Sequence, residues 1–410
     1  MKVLFFSDHF YPEPSAPAAH VYERAALWVK AGHDVTVITA APNFPEGRVY
    51  EGYRNSWRHR EELNGIHVVR VKTYMARNEG FFRRTLDYVS YMVSSFFFAF
   101  FEPRPDVVVS TSPHLFVAVG GVTHALLRRV PHVFELRDLW PATIAANTGV
   151  KKGFTYRMLE KLELWLYRRS ARILAFTDAY RRDLIERGIG EEKIDVVVNG
   201  ANLSMFTPAE TPDAEIRRRF GLEGHFVVGY VGTLGLSQGL ENVIEAATLL
   251  RDAPIRIFFV GVGAARDLLE QEVRTRGLRN VTFAPRQRKE DVPRFWSVCD
   301  VSLVHLKNDP VFATVIPSKI FESMAMGLPM IYCGPAGEGS EIVMRHEAGV
   351  YVEGGNPQAL AAAINRLAGD RAERARLANN SAASAIEYSR ERQAERSLAV
   401  FQKALPGARA

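Results

Sequence analysis

The sequence predicts an α/β protein of two domains, each built on a parallel sheet. The chain has 410 residues, more than one hydrophobic core usually serves, so two domains of about 200 residues are expected. Short β-branched runs alternate with longer helical stretches, as in βαβ units. Hydrophobic residues make up 47% and charged residues 24%, the balance of a globular protein rather than a disordered one.

The first series of strands occupies the first half of the chain. Between its first two strands, the segment Ala18–Ala31 predicts a helix that ends at Gly32, a residue favoured at helix C-termini. The predicted strands are Val3–Ser7, Asp34–Thr39, His67–Lys72, Asp106–Ser110, His132–Glu135, Arg172–Phe176 and Asp195–Val198.

A second series follows a connector at Asn199–Pro208. After its strands, Ala359–Leu377 predicts one Ala- and Arg-rich helix, and a last helix is expected over about 381–405. We therefore divide the chain into domains at 1–200 and 201–385 and a C-terminal helix at 386–410. The predicted strands are Phe226–Val231, Ile255–Val260, Val281–Ala284, Val301–Val304, Met330–Cys333 and Gly349–Val352.

The predicted strands end in polar residues in both halves of the chain. Ligands of open parallel sheets bind outside these carboxyl ends, so two polar edges predict a cleft between domains. The first-half residues are Ser7-Asp8-His9, Asn43, Ser110–His114, Glu135–Asp138, Thr177-Asp178 and Asn199-Gly200. The second-half residues are Gly232-Thr233, Gly261–Gly263, Arg286–Arg288 and His305.

The charge of the chain is positive and uneven. The net charge is +6, and residues 1–200 carry 27 basic against 22 acidic residues. The excess is greatest over Arg54–Arg84, with eight basic and three acidic residues. This bias suits anionic substrates or an anionic membrane surface. It is too mild for nucleic acid, and no groove-reading motif accompanies it.

Cysteines and the N-terminus restrict the class further. Cys299 and Cys333 are too few for a disulfide framework, and free thiols in a reducing cytosol are expected. Asp8 follows the first predicted strand directly, so the N-terminus lacks the apolar run of a secretory signal. A cytoplasmic location is therefore predicted. No Asp-x-Asp motif or His/Asp cluster at ligand spacing occurs, which predicts no metal.

The apolar segment Leu86–Phe101 has two interpretations. Its roughly 16 residues fall short of the roughly 20 that span a bilayer. It is either a buried helix of the first domain or a helix on a membrane surface, flanked by Arg77, Arg83 and Arg84.

The segment Pro317–Pro329 predicts an anion site. Pro317 and Ser318 mark a helix N-terminus, whose free N–H groups favour a diphosphate, and Lys319 adds a positive charge. Glu322 lies one turn further on the same face, where its carboxylate can accept two hydrogen bonds from a ribose diol. The alternative is a surface Lys–Glu pair.

A glycine-rich segment follows the first strand of the second half. Gly232, Thr233, Gly235 and Gln238 belong to a run ending at Gly239, before a predicted helix. Its glycines allow close approach of the backbone to phosphate. The run is neither a dinucleotide G-x-G-x-x-G nor a P-loop.

Taken together, the motifs resemble the retaining GT-B glycosyltransferases of family 4, and within them the WbuB-like branch of bacterial surface-polysaccharide assembly. The matching segments, in chain order, are Tyr11–Pro14, Gly32–Val37, Arg137–Pro141, Asn199–Asn202 with Phe206, Gln238–Glu241 and Pro317–Pro329.

The resemblance implies a fold and a reaction. It implies two Rossmann-like domains facing across a cleft, with a C-terminal helix returning to the N-terminal domain. It also implies transfer of a sugar from a nucleoside diphosphate, usually UDP, with retention. Glu322 then matches the ribose-binding glutamate, and Lys319, Ser318 and the Gly232–Gly239 loop fall beside the diphosphate. Arg286 and Gln287 would lie beside the base.

The chain departs from the family pattern at several positions. Thr314 stands where the first glutamate of an E-x7-E pair is common, and Gln238 stands where lysine is common. An N-terminal Gly-Gly loop is replaced by Ser15–Ala18, and Arg137-Asp138 stands where His-Asp is frequent. Lys319 is therefore expected to carry more of the phosphate neutralisation.

Retention without a placed nucleophile suggests that the leaving diphosphate steers the acceptor to the same face of the sugar, while N–H groups and Lys319 stabilise its charge. The catalytic candidates are Lys319, Arg137, Asp138 and His114. Asp138 either orients a hydroxyl or caps the Trp140-Pro141 turn, and His114 either touches substrate or bonds locally. The acceptor-side candidates are Ser15, His9, which has the same two interpretations as His114, and Asn43.

The partners expected are a UDP-sugar as co-substrate, with no other cofactor, and a polyprenyl-diphosphate-linked glycan as acceptor. An N-acetylated amino sugar is the donor sugar that the branch suggests. Basic and aromatic residues over Arg54–Phe101 suit a lipid diphosphate at the cytoplasmic membrane surface, unless they form only a solvated basic face. Two other functions remain open: a UDP-sugar 2-epimerase-like enzyme, using Glu135, Asp138 and Asp8, and a catalytically silent sugar-nucleotide-binding partner.

Overall fold

The structure is a computed structural model that describes residues 1–44, 46–75, 81–112, 114–142 and 153–407. Arg77 and Pro113, which belong to segments discussed above, lie outside the described residues. The chain forms two compact units: Met1–Val198 with the segment from Glu391 onward, and Asn199–Arg390.

The first unit is built on an eight-stranded sheet. Its strand order is β3-β4-β2-β1-β5-β6-β7-β8, parallel apart from the antiparallel β3–β4 pair. The strands are β1 (Lys2–Phe6), β2 (Asp34–Ala40), β3 (Arg58–Leu63), β4 (Ile66–Val71), β5 (Val107–Thr111), β6 (His132–Leu136), β7 (Arg172–Ala175) and β8 (Ile194–Val196).

The sequence analysis missed strand β3 and expected a wholly parallel sheet. The strand reads RHREEL, and its charged side chains suit an exposed edge but give no buried alternation. Asn64 and Gly65, with φ of 51° and 77°, form the two-residue turn to β4 that such a dipeptide favours.

Helices cover the first sheet. In α1, the hydroxyl oxygen of Ser15 accepts a hydrogen bond from the Ala18 N–H at 3.3 Å and caps the first turn. The helices among the described residues of this part are α1 (Ala16–Lys30), α2 (Phe81–Ala99), α3 (Leu115–Arg128), α4 (Phe154–Arg169) and α5 (Asp178–Glu186).

The second unit has a six-stranded parallel sheet of order β11-β10-β9-β12-β13-β14. Its strands are β9 (Phe226–Val231), β10 (Ile255–Val260), β11 (Val281–Ala284), β12 (Val301–His305), β13 (Met330–Gly334) and β14 (Gly349–Glu353). Its helices are α6 (Ala214–Arg219), α7 (Glu241–Leu249), α8 (Arg266–Thr275), α9 (Val292–Ser297), α10 (Lys319–Ala325), α11 (Glu338–Arg345), α12 (Pro357–Gly369) and α13 (Arg371–Ser384).

The prediction of a single helix over Ala359–Leu377 is wrong, because two helices, α12 and α13, occupy this segment. Asp370, with φ of −105° and ψ of 93°, ends α12, and its carboxylate accepts the Glu373 N–H at 2.8 Å to cap α13. The last helix also starts later than expected, because α13 is followed by a 3-10 turn at Ala385–Tyr388.

The last helix, α14 (Arg390–Ala404), returns to the first unit, as the resemblance implied. The Trp28 indole N–H donates to the Ala394 carbonyl at 3.1 Å, and its ring lies 5.1 Å from that of Phe401. Leu398 and Val400 are buried in the same cluster. The C-terminus therefore completes a core that begins with the N-terminal strands.

Candidate functional site

Each sheet reverses its strand order at one place, and ligands of such sheets bind there. In the second unit the reversal lies between β9 and β12, and in the first between β1 and β5. These two edges are therefore the candidate ligand positions of the two units.

The loop after β9 is shaped by glycine. Gly232 has φ of 140°, a conformation that L side chains rarely adopt. A Cβ on Gly261, at the end of the neighbouring strand, would lie 2.0 Å from the Gly232 carbonyl oxygen, so the two backbones meet directly. Further along, the Gly235 N–H donates to the Gln238 side-chain oxygen at 3.0 Å. Gln238 therefore closes the loop from within.

A buried histidine fixes the other end of this loop. The His305 ring donates from Nδ1 to the Gln238 carbonyl at 2.5 Å and accepts from the Asn242 amide at Nε2, 3.0 Å away. Burial lowers the pKa of His305 to about 4, so the ring is neutral at pH 7. The strand-end position of His305 thus serves the loop rather than a metal or a charge.

Lys319 opens α10 beside this loop. Its Nζ lies 3.4 Å from the centroid of the Tyr230 ring, and the Cβ that Gly232 lacks would lie 3.6 Å from Nζ. Among the described residues, no carboxylate or carbonyl accepts a hydrogen bond from Nζ. Burial lowers the pKa of Lys319 to about 7, although the charge of Glu322 acts in the opposite direction.

Glu322 is also half-buried, and it is not paired with Lys319 at the surface. The Trp296 indole N–H donates to Oε2 at 3.4 Å. Within the described part of the chain, Oε1 accepts no hydrogen bond. Burial raises the pKa of Glu322, against the indole and the positive charges of Lys289, Lys319 and Arg390.

The other residues predicted for this site make no contact that indicates a ligand. Ser318 precedes α10, but its side chain makes no capping hydrogen bond. Arg286 is exposed after β11, and the Gln287 amide donates to the Pro285 carbonyl at 2.8 Å. Thr233 is exposed in the loop.

In the first unit, a cluster of acids and histidines lies at the β1–β5 reversal. His114 and Asp8 are hydrogen-bonded between Nε2 and Oδ2 at 2.7 Å, and the His9 Nδ1 lies 2.6 Å from Glu13 Oε2. Burial disfavours charge on the His9 ring, but Asp8 and Glu13 outweigh it and raise its pKa to about 9. His9 is therefore an imidazolium at neutral pH, and both histidines bond locally.

Neighbouring residues hold this cluster in place. The Tyr88 ring stacks on His114 with centroids 3.9 Å apart. The other carboxylate oxygen of Glu13 accepts the Asn43 N–H at 2.8 Å. Asn43 thus supports the cluster through its backbone, whereas Ser15 serves as the cap of α1.

Arg137 lies beside a buried ionic group at the end of β6. Glu135 binds Arg24 at 2.6 Å and accepts from the Thr111 hydroxyl at 2.9 Å. Arg137 lies 3.7 Å from the same carboxylate and bonds the His20 ring at 2.7 Å. Asp138 follows, half-buried.

Sequence reasoning missed Tyr230 and Trp296, which hold Lys319 and Glu322, and also Arg24, Glu13 and Tyr88 in the first unit. Aromatic residues in a strand or a short helix give no local signal of a site, because their role depends on which distant residue they meet. Arg24 offered one signal: with His20 it lies on the helix face that carries the apolar residues Val21, Ala25 and Trp28.

The described residues contain neither a metal-binding cluster nor a membrane-spanning helix. No group of three or more His, Cys, Asp or Glu residues in that part of the chain has a metal-binding arrangement. No described helix combines the length and apolarity needed to cross a bilayer.

Sequence comparison finds relatives for both units. Residues 212–384 match the family Glycosyl transferases group 1, and residues 15–200 match the Glycosyl transferase 4-like domain. A putative colanic acid biosynthesis glycosyl transferase of Escherichia coli, WcaI, is 30% identical over 335 residues, which are 80% of this chain and 82% of the relative. A putative teichuronic acid biosynthesis glycosyltransferase of Bacillus subtilis, TuaH, is 26% identical over 58% of each chain.

Solved structures share the fold. HepE of Anabaena, solved with UDP, has a TM-score of 0.73 at 19% identity, covering 99% of this chain and 100% of that chain. WaaG, a glycosyltransferase involved in lipopolysaccharide biosynthesis, has a TM-score of 0.68 at 18% identity, covering 97% of this chain and 99% of that chain. Two Rossmann-like units in this arrangement along the chain define the GT-B class. The chain belongs to the glycosyltransferase family formed by these group 1 and type 4-like domains.

Proposed function

We propose that this glycosyltransferase moves a sugar from a UDP-sugar to a lipid-linked glycan in bacterial surface-polysaccharide synthesis, with retention and without a metal. The observation that carries the donor site is the Lys319 ammonium. It is half-buried, has no hydrogen-bonded anion among the described residues, and lies beside the Gly232 backbone. A half-buried cation of this kind is complementary to a diphosphate.

Glu322 supports a nucleoside rather than a bare diphosphate. It lies one helical turn from Lys319, and its Oε1 is available among the described residues. A carboxylate one helical turn from the proposed phosphate position suits a ribose diol. The uracil base rests on the resemblance and on HepE, which was solved with UDP.

In the proposed reaction, the bond between the anomeric carbon and the diphosphate oxygen breaks, and the acceptor hydroxyl bonds to the same face of the sugar. The acceptor proton passes to the departing diphosphate. Lys319 and the N–H groups of the glycine loop stabilise the negative charge that develops there. They take the place that a divalent cation fills in other transferases. An N-acetylated amino sugar remains the proposed sugar.

The acceptor side is proposed for the first unit, at the β1–β5 edge and the end of β6. His9, Asp8 and His114 present charged and hydrogen-bonding groups there, and Arg137 and Asp138 follow β6. Such groups suit the hydroxyls of a glycan. In this proposal Asp138 orients the acceptor hydroxyl and Arg137 adds positive charge.

A lipid-linked acceptor requires contact with a membrane, and α2 offers a surface for it. Leu86, Val93 and Phe97 are exposed on one face of α2, and Phe101 is exposed just beyond it. Tyr91, Ser95 and Ala99 are buried on the other face, where the Tyr91 hydroxyl donates to the Ile38 carbonyl at 2.8 Å. One face of α2 thus packs into the core, and the other presents an exposed apolar stripe.

Positive charge accompanies this stripe, as an anionic surface requires. Arg83 and Arg84 are exposed at the start of the helix. The Arg58 guanidinium lies 5.5 Å from the Phe101 ring centroid and is paired with Glu102 at 2.6 Å. Apolar and basic groups together favour peripheral binding to anionic lipid. We therefore propose a peripheral location at the cytoplasmic face of the membrane.

The experiment that tests the donor site is calorimetric titration with UDP, UDP-N-acetylglucosamine and GDP, with and without EDTA. We expect binding of the uridine nucleotides to survive EDTA and to weaken at least about tenfold in Glu322→Ala, because a hydrogen-bonded carboxylate typically contributes about 1.5–3 kcal/mol. Exposed Glu341→Ala on α11 is the matched control and should bind normally.

Binding of no nucleotide, or binding that needs a metal, would refute the proposal. Turnover of the UDP-sugar without any acceptor would instead support the isomerising alternative.

A further inference from the structure

We propose that Tyr230 is the positioning residue of Lys319: its ring face holds the ammonium at the mouth of the glycine loop, ready for the diphosphate. The inference rests on the proposed donor site and adds a residue that has no polar contact with substrate.

The geometry around Tyr230 joins three parts of the site. The residue belongs to β9, and it is fully buried. Its hydroxyl donates to the Thr233 carbonyl at 2.9 Å, which holds the loop. Its ring face meets Lys319 Nζ at 3.4 Å from the centroid. One side chain therefore fixes both the loop and the cation relative to the central strand.

The Lys319 ammonium contacts the Tyr230 ring where an anion would otherwise be expected. Cation–π attraction is strongest where water is excluded, and Lys319 is half-buried with no hydrogen-bond acceptor on Nζ among the described residues. A flexible lysine has about 2 kcal/mol of rotamer entropy to lose on ordering. Holding it on the ring before the donor arrives reduces that loss at the moment of binding.

The ring itself is held rigidly. The Phe259 ring lies beside it, tilted, with centroids 5.9 Å apart, and Phe259 stacks in turn on Phe283 at 5.1 Å. Burial keeps the pKa of the Tyr230 hydroxyl well above its usual range, so the hydroxyl stays neutral and keeps donating to the loop. Ring and hydroxyl thus have separate tasks that two substitutions can separate.

The first measurement uses no nucleotide. In protein labelled with 13C at lysine Cε, the Lys319 resonance, assigned by its loss in Lys319→Arg, should be shifted upfield by the ring. Tyr230→Phe should keep the shift, whereas Tyr230→Leu and Tyr230→Met should abolish it. Tyr332→Leu removes a buried tyrosine of the same sheet and should leave the resonance unchanged. An unshifted wild-type resonance, or a shift that survives Tyr230→Leu, overturns the inference.

The second measurement is UDP affinity. Tyr230→Leu and Tyr230→Met should weaken it by about tenfold, a factor that lies between the values of an exposed and a desolvated cation–π contact. Tyr230→Phe should keep most of the wild-type affinity. In a Lys319→Ala background, Tyr230→Leu should weaken binding no more than Tyr230→Phe does, because only the contact of the hydroxyl with the loop is then lost. Equal losses in Tyr230→Phe and Tyr230→Leu, or an undiminished loss in the Lys319→Ala background, would overturn it.

The two measurements separate the two hypotheses. If wild-type protein binds no UDP, the proposed function fails, and the labelled resonance still decides whether Tyr230 holds Lys319. If UDP binds normally and the resonance is unshifted, only the role of Tyr230 is lost.

Discussion

Lys319 lies in surroundings that favour its neutral form, and this makes donor binding depend on pH. Burial lowers its pKa to about 7 in the free protein, while a bound diphosphate favours the ammonium. Above pH 7, binding must therefore take up a proton. We expect UDP affinity to fall from pH 7 to pH 9 by up to about tenfold per pH unit. Calorimetry across this range measures the fall.

Two variants show whether Lys319 causes this dependence. Lys319→Ala should bind UDP far more weakly than wild type and keep the wild-type unfolding temperature. Its UDP affinity should not change between pH 7 and pH 9. Lys319→Arg stays charged throughout and should also be flat. His305 does not interfere, because burial holds its pKa near 4. A slope that persists in both variants would assign the proton to another group.

The residues of the candidate site differ in whether they could be predicted from the sequence. Lys319 and Glu322 are predictable, since a charged pair one turn apart at the start of a helix after a strand is a local pattern. Tyr230 and Trp296 are not. Each is an apolar residue in a regular element, and its contact with a charge forms only when β9 or α9 packs against α10.

At the level of elements, buried strands were predicted well and charged or capped elements poorly. Strands β9 and β10 have the predicted ends, because continuous β-branched and aromatic runs mark strands buried on both faces. The edge strand β3 has no such run. The break at Asp370 was missed because helix propensity on both sides outweighs one capping residue, although Asp is a favoured cap.

Helix α2 gives the prediction at this level. Replacing Phe97 by Glu puts a charge on the exposed apolar stripe without touching the buried face. Loss of one buried aromatic contact, worth about 1.5–3 kcal/mol, should weaken binding to vesicles of anionic phospholipid by at least about tenfold. Sedimentation with vesicles measures this, and UDP affinity should not change.

A matched control is available in the second unit. Met344 is 49% exposed on α11, and Met344→Glu changes charge and apolarity in a similar way away from α2. It should leave vesicle binding intact. Equal losses in both variants would show that net charge, rather than the α2 stripe, governs the interaction, and no vesicle binding by wild type would remove the membrane proposal.

At the level of the whole molecule, the two units differ in how the chain builds them. The second unit is continuous in sequence, whereas the first takes its last helix from the far end of the chain. This path follows from packing: α14 inserts Leu398, Val400 and Phe401 into the cluster around Trp28. Stability of the first unit therefore depends on a helix that follows the whole second unit in the sequence.

Truncation after Arg390 tests this dependence. Loss of three buried side chains worth about 1.5–3 kcal/mol each approaches the 5–15 kcal/mol by which whole domains are stable. We expect the first unit to unfold at a much lower temperature and to be cut readily by protease, while residues 199–390 stay resistant and bind UDP as in the full chain. Phe401→Ala in the intact chain should give a partial loss of about 3–5 kcal/mol. If the truncated chain keeps a protease-resistant first unit, α14 is dispensable for its core; if it loses UDP binding while residues 199–390 remain resistant, the donor site extends beyond the second unit.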